Sequence, residues 1–172
     1  MDNQLWKTAL HEAGHAVAFA RLFPNEYIPE ISIVPDYEER TAGYVKPSTD
    51  TDIVLADTPD AEAEKRFLQD ATYVCAGYAA MMVFGFSEEE AVLGCDSDFE
   101  RAGSFLGEGK KEALELLDKT ANKFAVELIA DELLQKKVLD GEQVSLLIGV
   151  ADGEATQKEY YEFLELRALM NG

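Results

Sequence analysis

The two histidines of this 172-residue chain stand four positions apart, in His11-Glu12-Ala13-Gly14-His15, within a segment apolar on nearly every side. Residues 3–22 are predicted to form a helix, because Trp6, Ala9, Leu10, Ala13, Val17 and Ala20 recur at 3.6 spacing and Pro24 stops the pattern. The histidines fall roughly opposite that stripe, where a solvated face would normally lie. Yet Ala18 and Leu22 carry the histidine face onward, and a helix apolar all round is a buried helix. The expected fold must therefore wrap this helix and supply a partner for the buried His15 ring.

His-Glu-x-x-His on a helix places two imidazoles one turn apart on one face. Neutral imidazole is a good ligand for Zn²⁺, and this spacing lets both rings reach one tetrahedral ion. Glu12, one residue round the helix, is placed beside such an ion, where its carboxylate can take a proton from a water the ion has acidified. A catalytic zinc site needs a third protein ligand, and the chain has no third histidine. The metzincin extension is absent, since its positions hold Ala18 and Arg21. Leu93-Gly94-Cys95-Asp96-Ser97-Asp98-Phe99-Glu100 is the best source, a glycine turn dense in oxygen and sulfur ligands. Spacing alone leaves Cys95, Asp96, Asp98 and Glu100 open.

The rest of the chain reads as helices with one small β element. Glu30-Ile31-Ser32-Ile33-Val34 and Ala42-Gly43-Tyr44-Val45 are predicted to pair as a hairpin across a charged loop. Thr58-Pro59 reads as a cap and first turn. From there one long helix is expected to run to Gly85, with Phe67, Ala71, Val74, Cys75, Tyr78 and Met81 on its buried face. Ser87–Glu90 and Ser97–Glu100 are written as capping boxes. Residues 110–139 are expected to be a single amphipathic helix through Leu114, Leu117, Ala121, Phe124 and Leu128, stopped by Gly141. Helices at 142–149 and 155–170 finish the chain.

Composition narrows the function. With 47% hydrophobic and 28% charged residues the chain is of ordinary globular make-up, and one domain over 1–172 is expected. A net charge of −19 repels phosphate backbones and anionic headgroups, so neither nucleic acid nor a membrane surface is an expected partner. No apolar run approaches the length of a membrane span, and no secretory signal is visible at the N-terminus. The two cysteines, Cys75 and Cys95, form no disulfide framework. A reducing, cytoplasmic setting is the expectation, with Cys75 a core residue.

Several blocks together resemble the peptidase domain of FtsH-type zinc metalloproteases. They are His11-Glu12-Ala13-Gly14-His15-Ala16-Val17-Ala18, Ile31-Ser32-Ile33-Val34-Pro35 and Ala42-Gly43-Tyr44. Further on come Ala76-Gly77-Tyr78-Ala79-Ala80 with Val83-Phe84-Gly85, and Gly94-Cys95-Asp96-Ser97-Asp98-Phe99-Glu100-Arg101-Ala102. Ala130-Asp131-Glu132-Leu133-Leu134 is similar to the family's late helix. Order and loop lengths agree over about residues 5–145. The resemblance implies a mainly α, multi-helix fold with one small β-hairpin beside a zinc cleft. It also implies Asp98 as the third ligand, after His11 and His15, with Glu12 as the catalytic base.

The chain departs from that family in three ways. It begins almost at the motif, and it contains no G-x-x-x-x-G-K-[ST] loop; Gly107-Glu108-Gly109-Lys110-Lys111 reads as a glycine-rich turn. Met81-Met82 stand where the family has an acidic pair. The last 25 or so residues match no part of the family. The expectation is a stand-alone, ATP-independent zinc peptidase for short or unstructured polypeptides, with an extended peptide adding at the hairpin edge near Ile31–Val34. Oligomeric state is not legible. A second reading is a catalytically idle peptidase fold that binds a basic partner through its acidic surface. A third, ranked last, uses Cys95 as the ligand, as in deformylases, where the cysteine precedes the motif.

Overall fold

The computed structural model describes residues 3–28, 30–35, 43–46 and 60–171. The fold is mainly helical with a small antiparallel sheet, as expected. Its first helix, α1 (Asn3–Leu22), runs through the middle of the molecule. Every residue from Glu12 to Phe19 is buried. Small side chains make this possible: a Cβ on Gly14 would lie 2.6 Å from both the Ala76 carbonyl oxygen and the Ala80 Cβ. At its end Arg21 is tied down by Asn122 and by a two-pronged pair with Asp152.

The sheet has three strands, not the two of a hairpin. β1 (Glu30–Ser32) pairs antiparallel with β2 (Tyr44–Lys46) on one side and with β3 (Val138–Asp140) on the other, in the order β2-β1-β3. β3 escapes the sequence because it is three residues long, with only Leu139 buried among them. Since β1 is paired on both sides, the edge proposed near Ile31–Val34 does not exist. The charged hairpin loop and the Thr58-Pro59 cap lie outside the described residues.

Two long helices are each divided. The segment beyond residue 59 forms α2 (Asp60–Val74) and α3 (Ala76–Val83), which meet at Cys75, where φ is −83° and ψ is −3°. The apolar rhythm through Ala71, Val74, Cys75, Tyr78 and Met81 crosses the bend unbroken and is buried as expected. Phe67 is not; it is 47% exposed and stacks on Phe105. Short α4 (Glu88–Ala91) has the capping box expected at Ser87 and Glu90. In α5 (Asp96–Ala102) the cap is Cys95, so Ser97 lies inside the helix and forms no capping box.

The predicted helix at 110–139 is α6 (Leu106–Leu117) and α7 (Thr120–Lys136). The glycines at 107 and 109 lie inside α6, not in a turn; Gly109 lets it approach the Ala71 backbone, 2.8 Å from a would-be Cβ. Lys119 turns extended, with ψ at 133°, and the buried face advances by one residue. Ala125, Val126, Ile129 and Leu133 are therefore buried, while Phe124 is exposed. Gly141 does not stop α7. That role falls to Lys137 at φ 71°, and Gly141 opens α8 (Gly141–Asp152) behind an Asp140 cap. Only glycine fits there, since a Cβ would lie 1.7 Å from the Ile28 carbonyl oxygen. The terminal helix α9 (Gln157–Asn171) packs on α8.

Candidate metal centre

Three segments distant in sequence meet at the cleft face of α1. His11 and His15 project from successive turns, their ring centroids 4.7 Å apart. Gly94, at φ 86°, turns the chain so that α5 carries Asp98 onto them. The Asp98 Oδ2 lies 3.4 Å from the Nε2 of His11 and 3.4 Å from the Nε2 of His15. The two Nε2 atoms are 3.1 Å apart. Donors held about 2.0–2.1 Å from one tetrahedral ion stand roughly 3.3–3.4 Å from each other. The His11, His15 and Asp98 atoms therefore have the spacing of one face of such a tetrahedron, and these residue types suit zinc.

The surroundings prepare the donors. His15 Nδ1 donates to the Tyr73 carbonyl oxygen at 3.0 Å; a carbonyl can only accept, so in the neutral ring Nε2 is left bare and faces the cleft. This is the partner that burial of His15 requires. A Cβ on Gly77 would fall 2.4–2.5 Å from the His11 ring, so α3 closes against that ring only because the position is glycine. Burial raises the Asp98 carboxyl, but without a metal the His11 and His15 rings, when protonated, donate to it and bring positive charge that outweighs burial and holds the group below the ordinary carboxylate range.

Glu12 lies beside these donors, 6% exposed, with no hydrogen-bond partner among the described residues. Burial pushes its carboxyl up to about 7, against the lowering effect of His11 and with a smaller raising effect from Asp98. Gly43 gives it room: a Cβ there would lie 2.8 Å from both Cγ and Oε1 of Glu12. Leu10, Val17 and Phe19 are fully or nearly fully buried on the same helix, each stabilising by roughly 2 kcal/mol.

Of the four acids and thiols left open by spacing, Asp98 alone reaches both histidines. The Cys95 thiol is fully buried and donates to the Ala91 carbonyl at 3.2 Å. Its sulfur nevertheless lies with His11 and Asp98 so that the three donor atoms are all within 4.8 Å of one another. Burial pushes this thiol up to about 12, which disfavours the thiolate that a metal requires. Asp96 and Glu100 are exposed and join no such group among the described residues. Met81 is buried and lines the cleft as an apolar wall.

The cleft itself encloses about 500 Å³ and is bounded by α1, α2, α5 and the start of β2. Two of its contributors were not legible in the sequence. Tyr73 acts through a backbone oxygen, which no side-chain pattern encodes. Arg101 lines the cleft one turn beyond Asp98; its position in the quoted glycine-to-alanine block was the signal available.

Among the described residues, no helix is long and apolar enough to cross a membrane. No family model matches the chain. A stretch of 99 residues, 58% of the chain, is 31% identical to the ATP-dependent zinc metalloprotease FtsH of Lachnoclostridium phytofermentans, and the match covers 16% of that protein's length. The chain is thus distantly similar to a small part of a zinc metalloprotease.

Proposed function

We propose that the chain is a zinc-dependent peptidase that hydrolyses peptide bonds without nucleotide. His11, His15 and Asp98 hold the ion, and Glu12 is the general base. The observation that carries this reading is the convergence of three lone-pair donors, 3.1–3.4 Å apart, beside a carboxyl that lines the same cleft. Zinc bound there supplies Lewis acidity, bringing the pKa of a water toward about 7 and polarising the peptide carbonyl.

The remaining work belongs to the chain. Glu12, next to the three donors on the cleft face of α1, is placed to accept a proton and then to return it to the leaving amine. Tyr73 keeps the His15 tautomer fixed through the cycle. The peptide lies in the cleft between α1, α5 and the Gly43–Val45 segment. Hydrolysis of a peptide bond is downhill, so ATP is needed only to unfold a substrate; short or unstructured peptides are the expected class. The distant likeness to an FtsH supports a metallopeptidase relation.

An idle docking module is the competing reading. A docking surface has no need of a carboxyl beside the three donors, whereas a general base must stand there. The test is digestion of an unstructured peptide by zinc-loaded protein without nucleotide. Turnover should fall by about 10²–10⁴-fold in Glu12→Gln while zinc content stays at one per chain. Full zinc with no cleavage of any peptide in a diverse library would overturn the proposal.

A further inference from the structure

Among the described residues two cations, Lys7 and Arg101, line the cleft, and they are in opposite states. Lys7, on the α1 face that leads to His11, is engaged: its Nζ is 2.7 Å from the Glu90 Oε1 and lies over the Phe86 ring. Arg101, on α5, is exposed and has neither an ion pair nor a hydrogen bond among the described residues. Its charge is felt on the α2 side of the cleft, where it pulls Asp70 and Tyr73 downward against the larger effect of their burial. Asp70 is not its partner, because that carboxylate faces the Arg66 guanidinium at 3.6 Å. Among the described residues Arg21, Arg66 and Arg167 each have a carboxylate partner, whereas Arg101 has none.

Its place gives this a use. Residues three apart on a helix share a face, with Cβ atoms about 5–6 Å apart, so Arg101 stands on the same side of α5 as Asp98. A guanidinium presents a rigid fork of donors that fits a carboxylate two-pronged and remains charged at any working pH. We propose that Arg101 is a specificity-determining residue that anchors a carboxylate of the bound peptide next to the scissile bond. This rests on the peptidase reading above. The carboxylate is either the peptide's C-terminus or an Asp or Glu side chain. An extended peptide advances about 3.3 Å per residue, so the anchored group belongs to a residue one or two places from the bond cut. The net charge of −19 disfavours acidic peptides at long range, so the preference is local to this contact.

The experiment reads binding, separately from hydrolysis. Zinc-loaded Glu12→Gln protein is titrated with three fluorescent peptides of one neutral sequence: C-terminally amidated, with a free C-terminus, and amidated with one internal Glu. A carboxylate peptide should bind about fivefold to tenfold tighter than the neutral one, and which of the two gains identifies the source. Adding Arg101→Gln should bring that ratio close to one, and Arg101→Lys should retain part of it. Equal binding of charged and neutral peptides by the Arg101 protein would overturn the proposal. So would Arg101→Gln weakening all three alike, which is the result of a contact to the peptide backbone, and so would absence of binding by any of them. If peptides bind with the Arg101-dependent ratio yet wild-type protein cleaves none, the peptidase reading falls and the anchor stands.

Discussion

Glu132 and Glu12 are both carboxylates sunk in the helical core, 3% and 6% exposed, but one is surrounded by donors and the other is not. At Glu132 on α7, the Tyr160 hydroxyl donates at 3.0 Å and the Lys136 ammonium sits 3.0 Å away. Burial, with the Glu132 charge next, raises the Tyr160 hydroxyl, so it remains a donor. At Glu12 no described group donates, and the chain just before β2 approaches it with the bare backbone of Gly43. A satisfied buried acid ties α7 to α9 and has nothing left to offer. Glu12 instead keeps its carboxyl at the cleft, where its oxygens are not among the buried atoms left without a partner. The contrast separates structural from chemical burial within a single core.

The largest effect that would break this comparison is at the third donor. Asp98→Ala should lower zinc affinity by more than about a hundredfold, beyond what loss of a supporting outer contact costs, as read by chelator competition. A Cys95→Ser control should bind zinc as wild type. Comparable losses in both variants would move the site toward sulfur and away from the tetrahedral face described above.

Next comes pH. In the metal-free protein the Glu12 carboxyl titrates near 7 when folded against an ordinary 4.5. Between those values the folded state holds a proton that the unfolded state releases. Stability from this group is therefore complete below about 4.5 and lost as pH rises through 7, by about 3 kcal/mol in all. Denaturant titration across that range should show the decline in wild type and its removal in Glu12→Gln. A slope identical in both proteins would mean that Glu12 is better solvated than its burial indicates.

The smallest effect sharpens the other half. Glu132→Ala strips acceptors from Tyr160 and Lys136 and should destabilise the fold by about 1–3 kcal/mol, with zinc affinity unchanged. A loss of zinc binding would couple the two carboxylates and erase the distinction between them.

What the sequence made legible follows the same division. Helix α1, its burial and the need of His15 for a partner were readable because Gly14 and the alanines leave no other packing. The glycines at 43 and 77 stood in the quoted blocks, and their meaning became clear only when the backbone was seen against Glu12 and His11. The third donor was not derivable from spacing; the family resemblance pointed to Asp98, and the described geometry brings it to both rings. The breaks at Cys75 and Lys119 carry no glycine or proline and preserve a hydrophobic rhythm close to helical, so periodicity ran through them. Lys137 takes the left-handed turn that a glycine normally marks, while Gly141 answers to the Ile28 carbonyl. Local rules misplace a boundary when a tertiary contact, and not the chain's own turn chemistry, sets it.

X-ray absorption at the zinc edge of the reconstituted protein tests the central claim most directly. Two imidazole nitrogens and a carboxylate oxygen at about 2.0–2.1 Å, with no sulfur shell, are the predicted first coordination sphere. A sulfur scatterer near 2.3 Å, or fewer than two imidazoles, would contradict the assignment of His11, His15 and Asp98.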